Sequence, residues 1–195
     1  MYDDNNKDTT YYKYRVKEKL EENFIDNQER KAVKLVRYIK KYDPAKSYDN
    51  IPWTHKDVWN CIKTNTAFEV VEEDVRFTKL IFPVKTDATW NGNAHNTMEE
   101  WEYSYKYVDK KESINGTTFE NVLFVEQKDD KSKNAIHRQY FIEKHAKNVG
   151  LVYREIKDLY SQIITTYPSG LPTPVESRIL KGVIYKQTYV THGIE

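Results

Sequence analysis

The sequence predicts a mainly β, antiparallel fold: a sandwich or half-open barrel of about eight to ten strands. Three observations carry this. Segments rich in Tyr and Val alternate apolar and polar residues with a period of two, as half-buried strands do. Turn signals recur roughly every 8–12 residues, the spacing of sandwiches and barrels. No strand–helix–strand spacing appears. Composition agrees. Hydrophobic residues are only 38% and charged residues 31%, but 16 Tyr, 7 Phe and 4 Trp supply the aromatic mass that disordered chains lack. No apolar run approaches the ~20 residues that a membrane-spanning helix needs. The 31 Lys and Arg nearly cancel the 30 Asp and Glu, which argues against a strongly basic nucleic-acid binder. Six Gly in 195 residues argue against glycine-rich phosphate loops.

Residues 1–9 read as a loose N-terminal segment, and residues 10–195 as a single antiparallel β domain. Asp4, Asn6 and Asp8 open like a calcium loop, but Thr9 stands where the Gly belongs and Arg15 where the closing Glu belongs. A strand follows: Tyr12, Tyr14, Val16, Leu20 and Phe24 share one parity, and Lys13, Arg15, Lys17 and Lys19 hold the other. Asp26-Asn27-Gln28-Glu29 is a turn. Beyond it the pattern supports two structures. Ala32, Leu35, Val36, Ile39 and Tyr42 fit a helical face, Asp26 and Glu29 have capping-box spacing, and Pro44 lies past the end. Read locally, residues 28–42 are a helix on the sheet, giving an α+β alternative. The competing reading is the return strand of a long hairpin with residues 10–25.

Residues 43–52 form a loop. Strands are expected at Trp53–Lys63, Ala67–Glu72 and Val75–Phe82, where Pro83 ends the last. Residues 85–97 are a polar loop carrying Trp90. The clearest strand sets Trp101, Tyr103, Tyr105 and Tyr107 against Glu102, Ser104 and Lys106. Asn115-Gly116 signals a tight hairpin turn. Strands follow at Phe119–Gln127, Ile136–Lys144 and Gly150–Tyr160, with a charged turn over Asp129–Asn134. Residues 161–181, with Pro168, Gly170, Pro172 and Pro174, make a loop, and Gly182–Thr191 is the closing strand. There is no internal repeat and no interdomain linker.

Chemistry is sparse. The lone Cys61 excludes an intrachain disulfide and a multi-cysteine zinc site, and His55 lies about 20 Å from it along a strand. The histidines, His55, His95, His137, His145 and His192, form neither HxH nor HExxH, so no metal and no cofactor is expected. No GxSxG occurs. Asn115-Gly116-Thr117 matches a glycosylation acceptor, but the hairpin turn explains it. Tyr11–Lys19 interleaves aromatic and basic residues as single-strand binders do; a near-zero net charge favours a solvated strand face instead. The aromatic row reads first as packing, and second as a ligand platform, because Trp and Tyr join apolar faces to polar tips.

Phe119-Glu-Asn-Val-Leu-Phe-Val-Glu-Gln127, the turn Asp129-Asp130-Lys131 and Tyr140–Ile156 together resemble a group of uncharacterised lipoproteins of Bacteroidetes. Their hallmark is a Tyr-Ala-x-x-Val-Gly-Leu-Val-like segment, and here His145 stands in the Tyr place before Ala146. Phe82-Pro-Val-Lys85, Thr89-Trp-Asn-Gly92 and Tyr185-Lys-Gln-Thr188 extend the resemblance to roughly residues 10–193. It implies an antiparallel β protein of the cell envelope, anchored by an N-terminal lipid. This chain carries no signal peptide, so the resemblance further implies a truncated or processed start. It also favours the hairpin for residues 30–42, and it transfers no catalytic residue.

The expected function is therefore a non-catalytic envelope lipoprotein domain. It would bind a small apolar or sugar ligand, or a protein partner, through an aromatic sheet face or cavity. The candidate contact residues are Trp90, Trp101, Tyr103 and Tyr105. Nucleic acid is not expected, and membrane contact is expected only through the lipid. One alternative is a hydrolase whose site gathers two or more of His55, His95, His137, His145 and Asp57. A second is a single-stranded nucleic-acid binder.

Overall fold

The fold comes from a computed structural model, which describes residues 9–130, 136–162, 165–170 and 173–193. Eleven strands are described: β1 Tyr14–Ile25, β2 Lys31–Lys41, β3 Thr54–Lys63, β4 Ala67–Glu72, β5 Val75–Ile81, β6 Thr89–Asn91, β7 Glu102–Ile114, β8 Thr117–Asp129, β9 His137–Ala146, β10 Gly150–Tyr160 and β11 Lys181–Thr188. They form two antiparallel sheets, β1-β2-β3-β4-β5 and β11-β10-β9-β8-β7-β6. Each is a meander in which every strand pairs with its neighbour in sequence, and neither closes into a barrel. The mainly β, antiparallel expectation holds. The contacts divide the chain into two compact units, one of Tyr11–Pro83 with Asn91–Glu100, the other built on Val84–Trp90 and the strands from β7 onward. The expected loose segment 1–9, with Asp4, Asn6 and Asp8, lies outside the described residues except for Thr9. So do residues 131–134 of the charged turn and Pro172.

Residues 31–41 are a strand, which corrects the local helical reading of 28–42. The reason is visible in the burial. Ala32, Val36 and Lys40 are the buried positions of β2, a spacing of four that a helix and a strand can both produce. Pairing on both sides decides: Leu35 lies opposite Leu20 of β1 and Trp59 of β3. Asp26, which resembled a helix cap, does a similar job in a hairpin. Its Oδ1 accepts from the backbone N–H of Gln28 and of Arg30, both at 2.9 Å, and Glu29 takes a left-handed φ of 58°. The core of this sheet is Trp59, Cys61 and Val70, with Leu35 and Phe68 against it. The Arg37 guanidinium lies 4.0 Å from the centroid of the Trp59 ring and donates to Glu18 at 3.1 Å.

The six-stranded sheet turns from β7 to β8 at Asn115-Gly116, with φ of 49° and 82°, the double left-handed step of a tight hairpin. Its core joins Ile114, Phe119, Val122, Ala146 and Val152. β6 was not expected as a strand: three residues of the polar loop 85–97 pair at the sheet edge, begun by Asp87 and Ala88 bonding the backbone of Tyr105. The other edge depends on Gly182. A Cβ there would sit 2.1 Å from the Asp158 carbonyl oxygen, so only Gly lets β11 lie this close to β10.

These cores set a contrast in stability. Leu159 is fully buried and Leu20 is 64% exposed. In urea unfolding, Leu159→Ala is expected to cost about 2–5 kcal/mol, and Leu20→Ala to stay within about 0.5 kcal/mol. Equal costs would contradict the burial described.

Candidate functional site

The aromatic row of β7 does not stay on one face. Tyr105 lies opposite Val125 of β8, but Tyr107 lies opposite Phe124, because the register shifts between them. One extra residue on β7 forms a bulge, and Tyr107 emerges on the opposite side of the sheet.

Tyr103 and Tyr105 are 3% and 0% exposed. Trp90, on the neighbouring strand, rests on them with ring centroids 5.8 and 4.6 Å away. Of the expected contact residues, Tyr103 and Tyr105 are thus covered and packed within the sheet. Trp90 is half-buried as a layer over these tyrosines. Trp101 meets Phe141 edge-on at 5.0 Å, and the Lys128 ammonium lies 5.2 Å from its ring. The alternation was legible, but the openness of a face was not, because one strand cannot report what lies above it.

The side to which Tyr107 turns is different. Tyr107 packs on Phe124 at 5.3 Å and donates its hydroxyl to Glu112. The Lys144 ammonium donates to the same carboxylate and lies over the rings of Phe124 and Tyr153. Tyr153 stands opposite Lys144 and donates to Glu155 at 2.8 Å. Lys186 and Lys157 approach Glu155 at 3.4 and 3.7 Å. Tyr140 carries Lys157 and Arg138 over its ring, at 5.3 and 5.0 Å. Glu176, in the one-turn 3-10 helix Val175–Ser177, bonds Arg138 at 3.3 Å and closes one end.

The electrostatics follow. Burial, then the hydrogen bond to Glu112, pushes the Tyr107 phenol above its ordinary range. Burial, then Glu155, does the same for Tyr153, and burial with the charges of Glu155 and Asp129 for Tyr140. Burial alone would raise Glu112, but the bonds from Lys144 and Tyr107 outweigh it, so the carboxyl lies below its usual range. Burial likewise opposes, and Tyr153 with Lys186 and Lys157 overcomes, in lowering Glu155. At neutral pH the face therefore presents protonated phenols as donors, ionised carboxylates as acceptors and ammonium groups between them.

The remaining candidates each find their own partner. His55 meets Tyr38 edge-on at 5.9 Å, and Asp57 pairs with Arg37 and Lys56. His95 is 3.7 Å from Glu69, His137 is 2.6 Å from Asp158, and His145 is 3.2 Å from Glu143. His192 bonds the Tyr189 hydroxyl at 2.8 Å. Among the described residues no group of three or more His, Cys, Asp or Glu is placed to hold a metal ion. Burial, with Glu18 and Glu72 nearby, pushes the Cys61 thiol up to about 12, far from a reactive thiolate at neutral pH. Asn115 sits at the hairpin turn and donates its amide to the Tyr189 carbonyl at 2.8 Å.

Comparison with protein-family models, with curated proteins and with solved structures finds no match to this chain.

The shifted groups predict stability losses at both ends of the pH range. Glu112 and Glu155 have lowered folded values, so their contribution is complete above the ordinary carboxylate value and is lost as pH falls through the folded one. Tyr107 and Tyr153 have raised values, so stability falls as pH rises through about 10, where unfolded tyrosines ionise. Urea midpoints measured across pH are expected to show both declines. Glu112→Gln should flatten the acid limb and Tyr153→Phe the alkaline one. Parallel curves for variants and wild type would refute the assignment.

Proposed function

We propose that this chain is a non-catalytic binding domain of the cell envelope, and that the face around Tyr107, Tyr140 and Tyr153 receives a protein partner. The observation that carries the reading is the bulge after Tyr105. It turns one tyrosine of a packed row onto a second face, where phenols, carboxylates and lysines alternate across β7 to β11.

The chemistry favours a protein over a sugar or a small apolar ligand. Sugar stacking needs an open ring face, and here lysines lie over Phe124, Tyr140 and Tyr153. Small apolar ligands favour concave, mostly apolar cavities, whereas this is a half-buried sheet surface of mixed polarity. Protein interfaces favour tyrosine for its large, stiff, amphipathic contact area. The resemblance around His145–Val152 supports placing the protein in the envelope with a lipid anchor.

Site-specific photocrosslinking in the source cells tests the proposal. With benzoylphenylalanine at Tyr140 or Lys157, one common protein adduct is expected from both positions. Glu120, exposed on β8, should give none. Adding Lys144→Ala should reduce the yield from Tyr140 several-fold. Adducts of equal yield from Glu120, or none from Tyr140 and Lys157, would contradict the reading.

A further inference from the structure

The β1–β2 hairpin assembles something the linear sequence spreads apart. Its antiparallel register sets Tyr14 opposite Lys41, Arg15 opposite Lys40 and Lys17 opposite Tyr38. The basic start of one strand therefore meets the basic end of the next. Residues 11–17 and 38–49 carry six Lys or Arg against two acids, Asp43 and Asp49. The net charge of the whole chain, +1, conceals this local surplus.

The same end exposes four tyrosines: Tyr11 at 87%, Tyr12 at 55%, and Tyr14 and Tyr42 at 45% each. Single exposed aromatics are ordinary, but this end sets Tyr12 and Tyr14 beside Lys41 on one face of the hairpin and Tyr42 beside Lys13 on the other. Lys13 lies 5.0 Å above the Tyr42 ring and Lys41 lies 5.7 Å above Tyr12, while Tyr12 and Tyr14 stack at 6.5 Å. An ammonium group thus lies over the ring of Tyr42 and another over that of Tyr12. Lys40 is different: it is buried and donates to the Tyr48 carbonyl at 2.8 Å, so it supports the loop.

We infer that this end of the five-stranded sheet is a contact site for an anionic phospholipid surface. Tyrosine suits the boundary between headgroups and acyl chains, with an apolar ring and a polar tip. Lysines beside it gain from the negative surface potential of anionic leaflets. Single-stranded nucleic acid fits the same cations less well. Base stacking needs free ring faces, and cations already lie over Tyr12, Tyr42 and Tyr48.

The test is co-sedimentation of the full chain with vesicles of phosphatidylcholine containing 30 mol% phosphatidylglycerol, and with pure phosphatidylcholine vesicles. Binding is expected to the anionic vesicles only, and to weaken as salt rises. The double variant Lys13→Glu/Lys41→Glu should lose more than about fivefold per lysine in partition, since each change both removes and reverses a charge. Tyr11→Ser, at a nearly fully exposed position, should weaken binding without disturbing the fold. Lys111→Glu/Lys147→Glu makes the same charge change on the other sheet and should leave binding unchanged. Equal binding to neutral vesicles, an equal loss from the control pair, or release of the vesicle-bound protein by a short oligothymidylate would each overturn the assignment.

Discussion

Three carboxylates that water hardly reaches hold the strands of this protein in place. Glu69, Glu143 and Glu155 are 3%, 1% and 9% exposed. An ionised carboxylate at such depth is costly unless it is paired and hydrogen-bonded. Each is met from another strand or turn. Glu143 accepts from Arg154, directly opposite on β10, at 2.9 and 2.7 Å. Glu69 accepts from Arg76 of β5 at 2.8 Å and from Arg30 in the β1–β2 turn at 3.1 Å. Arg30 is itself held by Asp26, at 2.9 Å. A slip of one residue would turn Glu69 or Glu143 to the other face, away from its cross-strand arginine, so these contacts specify register as well as stability. A chain with so many charged residues and few aliphatic ones must bury some charge, and it does so in pairs that cross strands.

The functional reading depends on the same sheets. Correct register places Lys144 beside Tyr153 and Ile142 beside Glu155, building the tyrosine face from five strands, β7 to β11. The β1–β2 register likewise collects cations and tyrosines from residues some 30 apart at one end of the other sheet. Both surfaces are products of hairpin pairing, and neither involves a deep cavity. The two differ in chemistry: the first balances charge within itself, and the second is left with a surplus.

Much of the fold was legible because antiparallel meanders are local. Alternation marked β1 and β7, and Asn115-Gly116 marked the sharpest turn. The errors have physical causes. Residues 31–41 imitate a helix because burial every fourth residue suits both periods, and only the flanking strands decide between them. β6 was missed because three polar residues paired at an edge leave no periodicity to read. The candidate site was legible in part. Tyr107 belonged to the row, but a bulge is a backbone event with little sequence signal, so its change of face was invisible. Tyr140 and Tyr153 carry no comparable signal, because neither belongs to an alternating aromatic row in its own strand. Their meeting is a matter of register.

The most direct test of the buried-carboxylate account is a double-mutant cycle at Glu143 and Arg154. Each partner removed alone, as Glu143→Leu or Arg154→Met, takes the arginine–carboxylate pairing from the other and is predicted to cost about 3–5 kcal/mol in urea unfolding. The double variant replaces the pair with apolar side chains and is predicted to cost clearly less than the sum of the two. Additive costs, or single costs below about 0.5 kcal/mol, would contradict the claim that this pair sets the register of the sheet.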